Sequence, residues 1–127
     1  MTERGSATVL AMAIAGLLAV CVVGVTAVAM ALTARERAFT AAEAAALAAA
    51  VASYPGTGRD SPALEAGRVA AANGARLIGC ICPVEGSFGA RTVTVETMVE
   101  TVLPIFGRLR IRGAARAEFD PAAWLGF

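Results

Sequence analysis

The chain has 127 residues, 57% of them hydrophobic, and its 11 basic residues, all Arg, nearly cancel 10 acidic ones for a formal net charge of +1. That balance gives no electrostatic reason to expect nucleic acid, a polyanion or an acidic substrate. The absence of His removes the commonest general base and the commonest metal ligand, and most of the apolar excess lies before residue 54.

The first predicted element is the apolar run from Ala7 to Leu32, 26 residues without a formal charge. As a helix rising about 1.5 Å per residue it spans roughly 39 Å, against a hydrocarbon core of roughly 30 Å, so it is long enough to cross a bilayer with some tilt. A helix buried inside a soluble core fits poorly, because a chain of this size cannot wrap apolar packing around every side of it. The run is also longer than the roughly 7 to 15 apolar residues of a secretory signal peptide. Ala29, Ala31 and Ala34 nevertheless supply A-x-A-like cleavage sites near its end, which keeps a signal peptide as the alternative. Arg4 and the initiating amine on one side face Arg35 and Arg37 on the other, so the positive-inside rule leaves orientation open.

From Thr33 to Ser53 there is no Pro or Gly and Ala dominates, so propensity predicts one rod from about Ser6 to Ser53. Its many Ala residues, with Ala13, Ala15 and Gly16 in the apolar part, leave a narrow surface on which another helix can lie close. Coding bias together with helix propensity is the plainer account of the same alanines. Tyr54 to Gly58, YPGTG, breaks the rod. The expected organisation is therefore a transmembrane helix with its extension over 1–53 and a small head over 54–127.

The head opens with a short helix: Ser61 as N-cap, Pro62 at the first position, Glu65 in the first turn, and Asn73 and Gly74 at the end. Leu64, Ala66, Val69 and Ala70 form its predicted apolar stripe. The period then becomes two. Arg76 to Cys82 reads as a strand ended by Pro83, and Arg91 to Leu103 as a second whose Val93, Val95, Val99 and Leu103 share a face with Thr97 and Thr101. In a third strand, Arg108 to Phe119, Leu109, Ile111, Ala115, Ala117 and Phe119 point one way, and Arg108, Arg110, Arg112, Arg116 and Glu118 the other. A hairpin turning near Ile105 sets Glu100 opposite Arg110 on the polar face. That Arg-rich face is either a solvated one with carboxylate partners or a docking surface for an anion. The fold class is α+β, with about three antiparallel strands expected to pack on the short helix and on the exposed half of the long one, since the head alone is marginal in size.

Cys21 in the apolar run reads as a small hydrophobe. Cys80 and Cys82 form C-x-C; in a regular strand their Cα atoms lie roughly 7 Å apart, at the limit of disulfide geometry, so an internal bond requires a bend, for which Pro83 is placed. An intermolecular bridge is the other oxidised form. Without His or a second Cys pair no four-ligand metal set exists, and no catalytic triad or phosphate-cradling loop with a following Lys is present. Asp60, Ser61 and Glu65 are accounted for as turn and cap residues. No catalytic, cofactor or metal residue is assigned.

The order of ERGSATVLA before the apolar helix, ERAFTAAEAAALAAA after it, the short helix ending in NGA, and the strands RTVTVE and RLRIRGAARAEFDP resembles the TadE/TadF-like minor pilins, or pseudopilins. The resemblance is closest to the actinobacterial branch associated with Flp (tight adherence) pilus assembly. It implies a type IV pilin-like, single-pass membrane protein with a cytoplasmic N-terminus and an extracytoplasmic head. It further implies partners among membrane lipid, pilin-like subunits and pilus assembly proteins, with no nucleic acid and no small-molecule substrate. Cleavage by a prepilin peptidase would follow Gly5 and leave Ser6 first. Pilins of this class carry Glu at the fifth mature position, where this chain has Leu10, so the ion pair with a neighbouring subunit's amine is missing, which fits a minor or accessory component. The alternatives are a Sec-secreted small extracellular protein and a membrane-anchored binding or regulatory module outside any pilus.

Overall fold

Ala-rich sequence without a breaker produces a single helix, α1 (Thr2–Ala52), of 51 residues and about 76 Å. The computed structural model describes Thr2 to Phe127, with side-chain surroundings from Gly5 onward. The charges of Arg4 and of the initiating amine, on which the orientation count rests, lie outside the described side chains. After α1 come a 3-10 turn (Pro55–Thr57), α2 (Pro62–Ala72), β1 (Arg76–Ile81), β2 (Arg91–Leu103), β3 (Gly107–Phe119) and α3 (Pro121–Leu125). The strands form one antiparallel sheet in the order β1-β2-β3.

The sheet lies on the second half of α1. Ala34, Ala38, Ala41, Ala42, Ala45, Ala46, Ala49 and Ala50 are all buried and recur at three- and four-residue steps, which is one face of the helix. A stripe made only of methyl groups lets backbone approach backbone. Where Thr97 of β2 pairs with Gly113 of β3, a Cβ on Gly113 would stand 2.3 Å from the Ala38 carbonyl oxygen. The alanine surface from Ala34 onward is thus filled by the chain's own sheet and α2, not by another molecule's helix. Val93, Val95 and Phe119 close the core with Ala66 and Ala70, and Val99 packs at its lower end with Ala34 and Ala38.

The α2 boundaries follow the cap signals: the Ser61 hydroxyl accepts from the Leu64 N–H at 3.3 Å, and Gly74 takes the left-handed conformation with φ 74°. The buried face keeps Ala66 and Ala70 of the predicted stripe, adds Pro62 and Glu65, and leaves Leu64 out. Pro62, Ala66 and Ala70, spaced by four, meet α1, while Leu64 is 54% exposed. Two alanine stripes pack at close range, and a leucine on either would hold them apart. Arg68 bridges Glu65 and Asp60, each at 3.0 Å, tying the helix to the turn before it.

Burial alternates along β2 and β3 as the apolar pattern requires, with Arg110, Arg112 and Arg116 outward. β1 breaks its own alternation. Its register slips between Leu77↔Thr97 and Gly79↔Glu96, leaving Ile78 as the extra residue of a bulge. Beyond it Cys80 lies opposite Val95 on the core side, and Ile81 is 74% exposed.

The β2–β3 link is Pro104, Ile105 and Phe106, between paired Leu103 and Gly107. Ile105 has φ 70°, a conformation costing a side chain with Cβ about 1–2 kcal/mol. A proline followed by positive φ has the pattern of a type II turn, whose second place normally takes Gly or Asn.

α3 has no counterpart among the predicted elements. Asp120 caps it, accepting from the N–H groups of Ala122 and Ala123 at 3.0 and 3.4 Å, and Pro121 occupies the first turn. Its signal is the same cap-then-proline pair as Ser61-Pro62, but five residues are too few to show a period.

Candidate functional site

The largest exposed feature of the fold is the first half of α1. From Gly5 to Thr26 every residue but the half-buried Val23 is exposed, and these include Val9, Met12, Leu17, Val20 and Val25 spread over all sides of the helix. Among the described residues it is the one helix long and apolar enough to cross a membrane. A surface helix of a soluble domain carries one apolar stripe; this segment is apolar all round, as a membrane anchor or a signal sequence is.

The marked positions fall along it as follows. Gly5 and Ser6 are already helical and exposed, with open space around Gly5, and Leu10 projects from the same bare surface. Ala7 is exposed, as is Leu32, yet Leu32 does not mark where packing begins: Ala27 is buried and Met30 and Ala31 are half-buried. The apolar run and the packed body therefore overlap by about a turn and a half. Charges gather just above that overlap. Arg35 lies over the Phe39 ring at 5.7 Å, and Arg110 Nε reaches Glu100 Oε1 at 3.0 Å across the β2–β3 pair.

Cys80 and Cys82 are joined by a disulfide with a Cα separation of 5.4 Å. The shortening from the roughly 7 Å of a regular strand comes where β1 ends at Ile81 and the chain turns into Pro83. The intermolecular alternative is replaced by an internal bond whose two halves pack against the core. Cys21 remains a free thiol, exposed on the apolar helix.

Arg91 is the site residue that the sequence reading passes over. It is 7% exposed and donates to the carbonyls of Ser53 and Gly89, each at 3.2 Å, and to those of Glu85 and Ser87. Its guanidinium also stands 5.8 Å from the centre of the Tyr54 ring, and its Nε has no hydrogen-bond partner. One buried fork thereby holds the end of α1 and the whole β1–β2 loop. The signal was parity: residue 91 shares the inward face of β2 with Val93, Val95, Thr97 and Val99.

Among the described residues no three His, Cys, Asp or Glu side chains gather as a metal site would require. What the geometry offers is a bare apolar helix, a charged belt and a head riveted to the same rod. No protein-family model, curated protein or solved structure matches the chain.

Proposed function

We propose that the protein is a membrane-anchored, minor pseudopilin-like component of a Flp/Tad-type pilus or secretion apparatus, acting by helix packing and by head-domain contacts. One observation carries this reading: a single uninterrupted helix is bare and apolar over its first half and locked into a small sheet over its second. An anchor and a head built on one rod move as one piece, so a force or displacement on the span reaches the head without a hinge. The Cys80–Cys82 bond supports an oxidising compartment for the head, and hence a cytoplasmic N-terminus. Cleavage at the A-x-A-like sites ending at Ala29, Ala31 or Ala34 would remove the bare part of α1 and leave the core stripe from Ala38 onward with the head, which is the form the secreted alternative takes. Leu10 in place of the pilin Glu favours an accessory place in the assembly over a main subunit.

The test is the N-terminal sequence and intact mass of the protein from membrane and medium fractions of its native cells. A membrane-bound chain beginning at Ser6 is the expected result. A chain beginning near Leu32 or Arg35 in the medium overturns the anchor and favours the secreted protein. An uncut membrane form overturns peptidase processing and leaves an anchored accessory subunit or an anchored binding or regulatory module.

A further inference from the structure

We propose that the β2–β3 hairpin tip, Val102 to Phe106, is a second membrane contact, dipping into the acyl chains beside α1 on the side of the bilayer that carries the head. The proposal rests on the membrane reading of α1. Its basis is a depth measured from one contact and matched by the side chains at the tip. Thr97 meets Ala38 at 2.7 Å, and the strand running from Thr97 to Ile105 travels about 26 Å. The same distance along α1 from Ala38 leads back to about Cys21. The side chains concur: Ile105 and Phe106 line a wholly apolar groove with Ala19, Val20, Val23 and Gly24.

That level lies inside the apolar run. A hydrocarbon core of roughly 30 Å takes about 20 helical residues, so counted upward from Ala7 it ends near Thr26, roughly 3–10 Å above the tip. Counted down from Leu32 instead, the core places the tip deeper still. Either placement immerses it.

The composition of the tip suits the location. Val102, Leu103, Pro104, Ile105 and Phe106 are uncharged, Ile105 is 86% exposed and Phe106 71%, and charge resumes at once with Arg108 and the Glu100–Arg110 pair. Arg108 has the length to carry its guanidinium up to the headgroups while its stem stays in the apolar layer. The β2–β3 pairing continues to Leu103↔Gly107, so only a three-residue link lies beyond it, and one of those residues is Pro, which has no N–H to satisfy. Ile105 at φ 70° is a further mark: a turn in water is better served there by Gly or Asn, whereas a turn in lipid gains from an apolar side chain. Acyl chains are the occupant because the tip stands level with the bare surface of α1 and continues it.

The test uses the full chain in phosphatidylcholine vesicles whose acyl chains are brominated, which quenches tryptophan in contact with them. Trp124, on α3, is the chain's one tryptophan. In a Trp124→Phe background, Leu17→Trp reports the span and Phe106→Trp reports the tip; both replace exposed residues. The expected result is fluorescence of both probes falling about twofold, that of Trp124 in the unaltered chain staying constant. A quenched Leu17→Trp with an unquenched Phe106→Trp overturns the tip contact while leaving the anchor, and gives the tip to water or to a protein neighbour such as a second copy. Neither probe quenched overturns the anchor and the tip contact with it.

Discussion

The Thr97 hydroxyl donates a 2.7 Å hydrogen bond to the Ala38 backbone carbonyl, joining the middle of the sheet to the second half of α1 across 59 residues of sequence. Mid-helix carbonyls already accept from the helix, so this bond uses the second lone pair. It forms because neither partner strand nor helix places a side chain between them: Gly113, beside Thr97, has none, and Ala38 is one of a row of methyl groups. Depth, register and head orientation along the rod all follow from this rivet.

Gly113→Ala is therefore expected to destabilise the head strongly. Its Cβ would lie 2.3 Å from the Ala38 oxygen and 2.5 Å from the Ala38 carbonyl carbon, both backbone atoms that cannot step aside without moving the helix. Overpacking of this kind costs about 1–3 kcal/mol or more. Gly67→Ala, inside α2 with only ordinary contact to Leu77 at 3.8 Å, is expected to stabilise by about 0.5–1 kcal/mol through helix propensity. Thermal unfolding of the two variants in detergent, followed by circular dichroism, should move the midpoint in opposite directions.

Arg91→Lys is expected to loosen the β1–β2 loop although charge is kept. A lysine has no planar fork to serve several carbonyls at once, and its ammonium in a site lacking a carboxylate is poorly solvated. A loss of about 2–3 kcal/mol is expected, since buried carbonyls are left unpaired. Hydrogen exchange should show the change first at residues 83–90 and at the end of α1.

The Cys80–Cys82 bond is expected to contribute little to stability. A closed loop of three residues restrains the unfolded chain by only about 1.6 kcal/mol in the chain-entropy account. Cys80→Ser with Cys82→Ser should thus fold, unfolding at a modestly lower temperature. Thiol counting on the denatured, unreduced protein should return a single group, Cys21.

Much of this architecture is legible from the chain. The β2 and β3 alternation is legible because Glu96, Glu100, Arg108, Arg110, Arg112 and Arg116 all share the outward parity, and Pro104 and Gly107 centre the hairpin; the Glu100–Arg110 juxtaposition follows from that centre alone. The bulge in β1 is not legible, because Gly79 presents no side chain and Ile78 before it and Ile81 beyond it lie on opposite parities, so either parity reads equally well. Leu64 misleads for a different reason: hydrophobicity names it as core, whereas the partner surface is alanine and admits only small residues. The sheet's place on the second half of α1 is legible from the small size of the head, although alanine leaves the stripe itself unmarked. The depth of the hairpin tip needs two lengths measured from one contact, and that contact, Thr97 to Ala38, leaves no local mark in the sequence.

Ile105→Asn is expected to separate the fold's interest from the membrane's. Asn tolerates the left-handed conformation that Ile105 holds at φ 70°, so the variant is relieved of up to about 1–2 kcal/mol of backbone strain. Little packing is lost in exchange, because the side chain is almost wholly exposed. In detergent the unfolding midpoint should rise, by about 4–8 °C for each kcal/mol gained in a domain of this size. In vesicles the same variant places a polar amide where the acyl chains are, so a Phe106→Trp probe in its background should be quenched less than in the Ile105 parent. A midpoint that falls in detergent would mean that the apolar contact of Ile105, with α1 or with the detergent chains around it, outweighs the cost of its φ.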